Sequence, residues 1–509
     1  MTDLTAGEFD RRTVLQTTAA AGILGVAGCL GGDERAALHV GSPWGIDRDP
    51  LESGYALRRV GITEALVGVS HDVEPTPSLA TDWEQVTQTR WEFTLREGVT
   101  FHDGRQLDAR TALPSLRRAA SSNAFANVPV RSVEAVDDVT IAIETETPFA
   151  PLLAHMSRHE AVVLSPDALD DDPIEPIGTG PFVFDSLETG AELRARRNEE
   201  YHGTVPSVES VRYEVVEDDQ TRRLKLENGE LEMARILPQE FVADLEAADG
   251  IDVYTPTIPR LRFLTFDTQS APFDDSRVRR AVTHGIDRAA ITESVLEGID
   301  DPVGEPIPPV MSSWADPDVD GPQYDPERAD DLLSTAGWTT GSDGTRTNGD
   351  ERLSVDCYTY DARSLPLIGE VLQSQLADIG IEFELAILEY GTMVDRISRD
   401  PFDAYLTSWN WHYPDPDRLT DLFHSAGALQ HGWNNDRVDR LLEEARASFD
   451  PEIRRQKYHA VQSAVLDDVP IAVLTGYTNV IATSADVRGY DPHPAETQYG
   501  LEHVNLEGK

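Results

Sequence analysis

Two rhythms of apolar and polar positions run along this chain, a period of two in short stretches and a period near 3.6 in longer ones. WEFTLR (91–96) puts alternate residues on one face and predicts a strand. DARTALPSLRRAAS (108–121) predicts a helix, with Pro114 near its first turn. SVEAVDDVTIAIETETPFAPLLAHM (132–156) predicts a hairpin running into a helix, and 207–234 a strand, a helix and a second strand. RLRFLTFDTQ (260–269) is strand-like and leads into one basic helix, DSRVRRAVTHGIDRAAITESVL (275–296).

YDPERADDLLSTAGW (324–338) has a Pro-Glu opening and a Gly close, which is good helix punctuation. An amphipathic helix at 365–379 precedes the strand IEFELAIL (381–388). FDAYLTSW (402–409) predicts a strand, 437–447 and 451–466 helices, and IAVLTGYTNVIA (471–482) one strand. No repeat or low-complexity tract interrupts this order, and the mixture predicts more than one α/β lobe.

Charge narrows the function classes. The 509 residues include 91 acidic and 43 basic side chains, a formal charge of −48, and only three lysines, Lys225, Lys457 and Lys509. Such a charge repels phosphate backbones and excludes nucleic acid as a partner. Its self-repulsion would strain the compact state in ordinary salt and be screened in molar salt, which points to adaptation to high salt.

The N-terminus has the form of a delivery signal. DRRTVLQ (10–16) places Arg11 and Arg12 before the apolar run TTAAAGILGVAG, which is short of the roughly 20 residues of a membrane span. The arginine pair marks twin-arginine export. The run ends in VAGC (26–29), which resembles a lipobox. Residues 1–28 would be removed, Cys29 lipidated, and 29–37 would form a tether holding the protein to the outer face of the cell membrane. Cys357, in SVDCYTY, would then be an inert core thiol.

Motifs for chemistry are weak. GTGP (178–181) lacks the third glycine of a dinucleotide loop, and there is no GxSxG, HExxH or GxxxxGK[ST]. His155 and His159 in HMSRH could share a helical face, but as a satisfied or exposed pair more readily than as metal ligands. Without a nucleophile–base set or a firm metal cluster, no catalysis and no cofactor are expected. Arg277, Arg279, Arg280, His284 and Asp287 read as structural.

SWNWHYPDPDRL (408–419) differs in kind. A strand empties into rigid aromatics stiffened by two Pro-Asp junctions, so the stretch is either a ligand floor or a packed loop. Trp409, Asn410, Trp411, His412, Tyr413 and Asp415 are the candidates it supplies. Trp44 in HVGSPWGID and Tyr390, after a predicted strand, are further candidates.

Seven landmarks stand in order over nearly the whole chain: FHDGRQLDART (101–111), GTGPF (178–182), YHGTVPSVESV (201–211), residues 263–291, YDPERADDLLSTAG (324–337), QSQLADIGIEFEL (373–385) and SWNWHYPDPDRL. Together they resemble the extracytoplasmic solute-binding lipoproteins of peptide and nickel ABC importers, here with the composition of a halophilic archaeon. The resemblance implies an α/β, two-lobed periplasmic-binding-protein-like fold, with an extra subdomain on the first lobe and the cleft between lobes. Lobe one would take 38–66, 173–262 and 477–509, the inserted subdomain 67–172, and lobe two 263–476.

The implied function is capture of a solute by lobe closure and delivery to membrane permease subunits, by a monomer without cofactor. Peptide-binding members have Ala-Asp-Tyr-Pro-Asp-Pro where this chain has WHYPDP (411–416). His412 thus replaces the acid that pairs with a peptide ammonium, and a neutral imidazole provides no charge for it. A peptide remains the first expectation. The alternatives are a saccharide stacked on Trp409 and Trp411, or a nickel chelate held by His412 and Arg158. Outside transport, the alternative is a surface scaffold or adhesion module.

Overall fold

The computed structural model describes residues 37–507 apart from 53, 171, 430 and 431. Arg11, Arg12, Cys29 and all but the last residue of the 29–37 tether lie outside the described residues.

Two large sheets carry the fold. The first has seven strands in the order Phe182–Glu188, Glu192–Arg197, Ser210–Val215, Ala37–Ser42, Met233–Leu237, Val480–Ser484 and Ile251–Tyr254. Ala37–Ser42 is paired in parallel on both sides, and almost every residue of it and of Met233–Leu237 is buried. Strands covered on both faces read as apolar runs rather than as alternation. The second sheet has five strands in the order Glu382–Leu388, Ser354–Tyr360, Ala404–Asn410, Thr257–Phe266 and Ile471–Thr478. A third sheet, of four antiparallel strands between Ala80 and Thr145, belongs to a separate core that includes Phe93, Leu116, Phe125, Ile141 and Leu152. Alternation in WEFTLR is the mark of this sheet, whose outer face meets solvent.

The chain crosses between the two large sheets twice, side by side. It leaves the first after Tyr254 and enters the second at Thr257; it returns between Thr478 and Val480. Thr257 pairs with Thr478, and the Asn479 N–H donates to the Pro256 carbonyl at 2.9 Å. The outward crossing therefore lies several residues before 263, because the whole of Thr257–Phe266 pairs within the second sheet. For the same reason IAVLTGYTNVIA is two strands, one in each sheet.

Two helices also depart from expectation. The segment 275–296 forms two helices, Ser276–Gly285 and Arg288–Val295, because Ile286 is extended and Asp287 caps the second through the Ala290 N–H. Gly285 allows the break to close on Ile379, whose side chain would meet an added Cβ at 2.6 Å. Pro114 sits in the second turn of Ala109–Ala120, not the first, on the exposed face where the freed carbonyl can meet water.

Candidate functional site

The strand Ala404–Asn410 runs antiparallel to Thr257–Phe266 with Arg260 opposite Asn410. Residues paired across two strands share a face, so both side chains project from the same end of the sheet. They converge on Glu496, from the C-terminal segment: Arg260 Nη2 donates to it at 2.7 Å and Asn410 Nδ2 donates to the same oxygen. Arg363 Nη2 donates to the other oxygen at 3.0 Å. Burial alone would raise the Glu496 carboxyl, but Arg260, Arg363 and Arg59 hold it well below the usual range.

Arg363 and Ser364 are consecutive non-glycine residues in the left-handed region, with φ of 57° and 60°. They turn the end of strand Ser354–Tyr360 into the helix Leu365–Asp378. Left-handed backbone at side chains of this size is costly and clusters at ligand clamps. Here it aims Arg363 between the sheets, 5.2 Å over the Trp44 ring and 4.7 Å over Tyr477.

A cavity of about 710 Å³ opens at this point, bounded by both large sheets and by the helix Tyr55–Val60. Its charged lining is Arg59, Arg260, Arg363 and Arg418 against Asp47 and Glu496. Four cations against two anions is the reverse of the balance of the chain as a whole. Buried donors on three of the arginines, Arg260 Nε, Arg363 Nη1 and Arg418 Nε, have no hydrogen-bond partner. A second chamber of about 620 Å³ shares Trp44, Tyr360, Arg363 and Tyr390 with the first. Its other charged lining is acidic: Glu217, Asp219, Asp361 and Glu389. Burial raises the Asp219 carboxyl, and neighbouring Asp218 and Asp361 act in the same direction.

The residues singled out from sequence divide sharply. Trp44, Tyr390, Trp409, Asn410 and His412 line the arginine chamber, and Tyr390 is 56% exposed there. Burial pushes His412 well below its ordinary value, with Arg418 and His159 adding to the effect, so it is neutral. Trp411 does not reach the chamber. It is 2% exposed and packs into the core of the second sheet, its backbone N–H donating to the Pro259 carbonyl at 2.7 Å. The strand has ended at Asn410, so the spacing of Trp409 and Trp411 does not carry them to a common surface.

Tyr413 is also buried, 4.2 Å from the His155 ring, and Asp415 is locked to Arg454 at 2.7 and 2.9 Å. Arg158 donates to Glu160 and the Ala124 carbonyl and lies 4.7 Å over Phe125, away from the chamber. These four are packing and pairing residues. Cys357 is buried, and burial pushes its thiol far up. Among the described residues no three His, Cys, Asp or Glu side chains converge as a metal cluster.

Tyr55, Arg59, Arg260, Arg363, Arg418 and Glu496 were not legible as site residues. The one usable signal was Arg260 and Arg262 inside an otherwise apolar strand: Arg262 is fully buried and paired with Asp300, while Arg260 faces the chamber.

Comparison with known proteins agrees with this geometry. The model of the bacterial extracellular solute-binding proteins, family 5 middle region, matches residues 74–430. The dipeptide-binding protein of Escherichia coli (strain K12) is 26% identical over 518 residues, covering 92% of this chain and 93% of that protein. Protein XP55 of Streptomyces lividans is 31% identical, covering 81% of this chain and 78% of that protein. Among solved structures, NikA from Brucella suis superposes with a TM-score of 0.84 at 21% identity, over 92% of this chain and 100% of that one, and shares the two-lobed α/β fold. The chain belongs to the family 5 extracellular solute-binding proteins, whose members bind solutes for ABC importers and are not enzymes.

Proposed function

We propose that the protein is the solute-capturing component of an ABC importer and that its solute is a peptide, held with its carboxylate in the arginine chamber and its ammonium toward the acidic chamber. The observation that carries this reading is the polarity of the cleft, arginines in one chamber and carboxylates in the next. The unpartnered donors of Arg260, Arg363 and Arg418 suit a carboxylate. His412, which also lines the arginine chamber, is neutral and offers an ammonium no charge to pair with. The name of the Escherichia coli relative supports a peptide. Closure around the solute would follow from its greater affinity for the closed state.

Titration calorimetry with three versions of one short peptide tests the orientation. Amidation of the C-terminus should weaken binding strongly, and N-acetylation should weaken it through loss of the charge in the acidic chamber. Binding indifferent to amidation would sink the proposal. A carboxylate-rich metal chelate is a second reading, favoured by His412 and Arg418 opening to the same chamber. Metal-dependent heat with such a chelator, and none with peptides, would establish it.

Twin-arginine export through Arg11 and Arg12, lipidation of Cys29 and action as a membrane-anchored monomer beside its permease belong to this proposal. So does adaptation to molar salt, supported by the charge of −48 and the three lysines. A Cys29→Ser variant should leave the membrane fraction and appear in the medium.

A further inference from the structure

Behind the cleft, on the far side of the helix Tyr55–Val60, lies a separate cavity of about 320 Å³. Arg58 lines it. This side chain is 5% exposed, yet its guanidinium makes no ion pair and no hydrogen bond among the described residues, and its Nε is buried without a partner. Other buried arginines have partners: Arg262 has Asp300, Arg454 has Asp415, Arg260 and Arg363 have Glu496, and Arg279 and Arg288 have backbone carbonyls. An uncompensated buried charge is strongly unfavourable.

The nearest acid does not resolve it. Glu64 acts on Arg58 only through its field, because its oxygens accept from Thr179 Oγ1 at 2.8 Å, the Tyr201 hydroxyl at 3.1 Å and His202 Nε2 at 3.0 Å. Burial pushes the Arg58 guanidinium down to about 10. Arg96 lines the same cavity and spends its Nε and Nη2 on the Ser78 carbonyl, leaving Nη1 for the cavity.

We propose that this cavity is a site for one small monovalent anion, a halide or a simple carboxylate, held by the Arg58 guanidinium with Arg96 as its second donor. The anion would supply the missing counter-charge. It would also brace the helix Tyr55–Val60 from behind, and that helix presents Tyr55 and Arg59 to the solute chamber. Arg59 lines both cavities, so filling the rear one and shaping the front one are physically connected.

The test uses the full chain and two probes. Crystals soaked in sodium bromide and measured at the bromine edge should show an anomalous peak beside Arg58. Thermal unfolding at matched ionic strength should give a higher midpoint in bromide or chloride than in sulfate. A doubly charged sulfate oxyanion is the control, because one guanidinium and a shared Arg96 do not match its charge. Equal stabilisation by acetate, with bromide displaced by acetate from the peak, would assign the site to carboxylates; stabilisation by halides alone would assign it to halides.

In Arg58→Gln the peak and the anion-specific shift should both vanish. Should Arg58→Gln fail to fold, Arg96→Gln reads the same peak at reduced occupancy. No bromide peak in the cavity, or an anion-specific shift that survives in both variants, would overturn the proposal.

Discussion

His155 Nε2 stands 3.1 Å from Oδ2 of Asp417 with both side chains fully buried, joining the helix Leu152–His155 to the loop after the strand Ala404–Asn410. Arg158 Nη1 lies 3.4 Å from His155 Nδ1 and can only donate, so the ring proton sits on Nε2 and points at the carboxylate. Arg446 binds the same carboxylate at 2.6 and 3.0 Å, which outweighs burial and keeps Asp417 ionised. HMSRH and the aromatic loop, 262 positions apart for this pair, thus form one buried contact.

This contact and the histidines near it make stability sensitive to pH. Burial pushes His155 down from 6.5, with the Asp417 hydrogen bond opposing it and Arg158 and Arg446 adding to the fall. Burial pushes His159 to about 4, with Arg158 adding and Glu160 opposing, and burial with Arg418 and His159 lowers His412 against Glu160. A histidine whose value is lowered in the folded state stabilises that state while neutral. Its contribution is complete above about 6.5 and is lost as pH falls from there toward the lowered value. The free energy of unfolding should be flat between pH 8 and 7 and fall toward pH 5 in denaturant titrations. His155→Gln, which keeps a donor to Asp417, should flatten part of that fall.

Arg363 should be the most consequential single arginine for affinity, since it lines both chambers. Arg363→Gln is expected to weaken binding of a free-carboxylate peptide by roughly 10- to 100-fold, the range of one charge-assisted hydrogen-bonded pair. The amidated peptide should show no further loss on this substitution.

The two tryptophans should separate cleanly. Trp411→Ala is expected to cost roughly 3–5 kcal/mol of stability in a denaturant titration, as for other buried aromatics. Trp409→Ala should instead act mainly on solute affinity, because its ring lines the chamber with Arg418 4.6 Å above it.

Asp415 should behave as a structural residue. Asp415→Ala leaves the buried Arg454 without its carboxylate and should destabilise the fold by roughly 3–5 kcal/mol. Solute affinity of the folded fraction, measured by calorimetry well below the unfolding midpoint, should change little.

The paired arginine and acid at 454 and 415 show where local reading stops. Pro414, Asp415 and Pro416 were read correctly as a stiff turn, since proline restricts its neighbours whatever surrounds it. The partner that makes Asp415 structural lies 39 residues away, on the helix Pro451–Asp468. Nothing in the loop's own composition distinguishes an acid facing solute from one facing a helix.

Sequence by itself determined the alternation of strands and helices, and the seven ordered landmarks and hence the family. These are properties of periodicity and turn chemistry, which act over a few residues. Tertiary structure alone decided that Trp411, Tyr413, Asp415 and Arg158 turn into packing, and that Arg260, Arg363 and Glu496 meet. It also decided that an overwhelmingly acidic chain encloses a cationic chamber. The reason is that net charge is a sum over the surface, whereas a site's charge depends on which few side chains the crossing strands bring together.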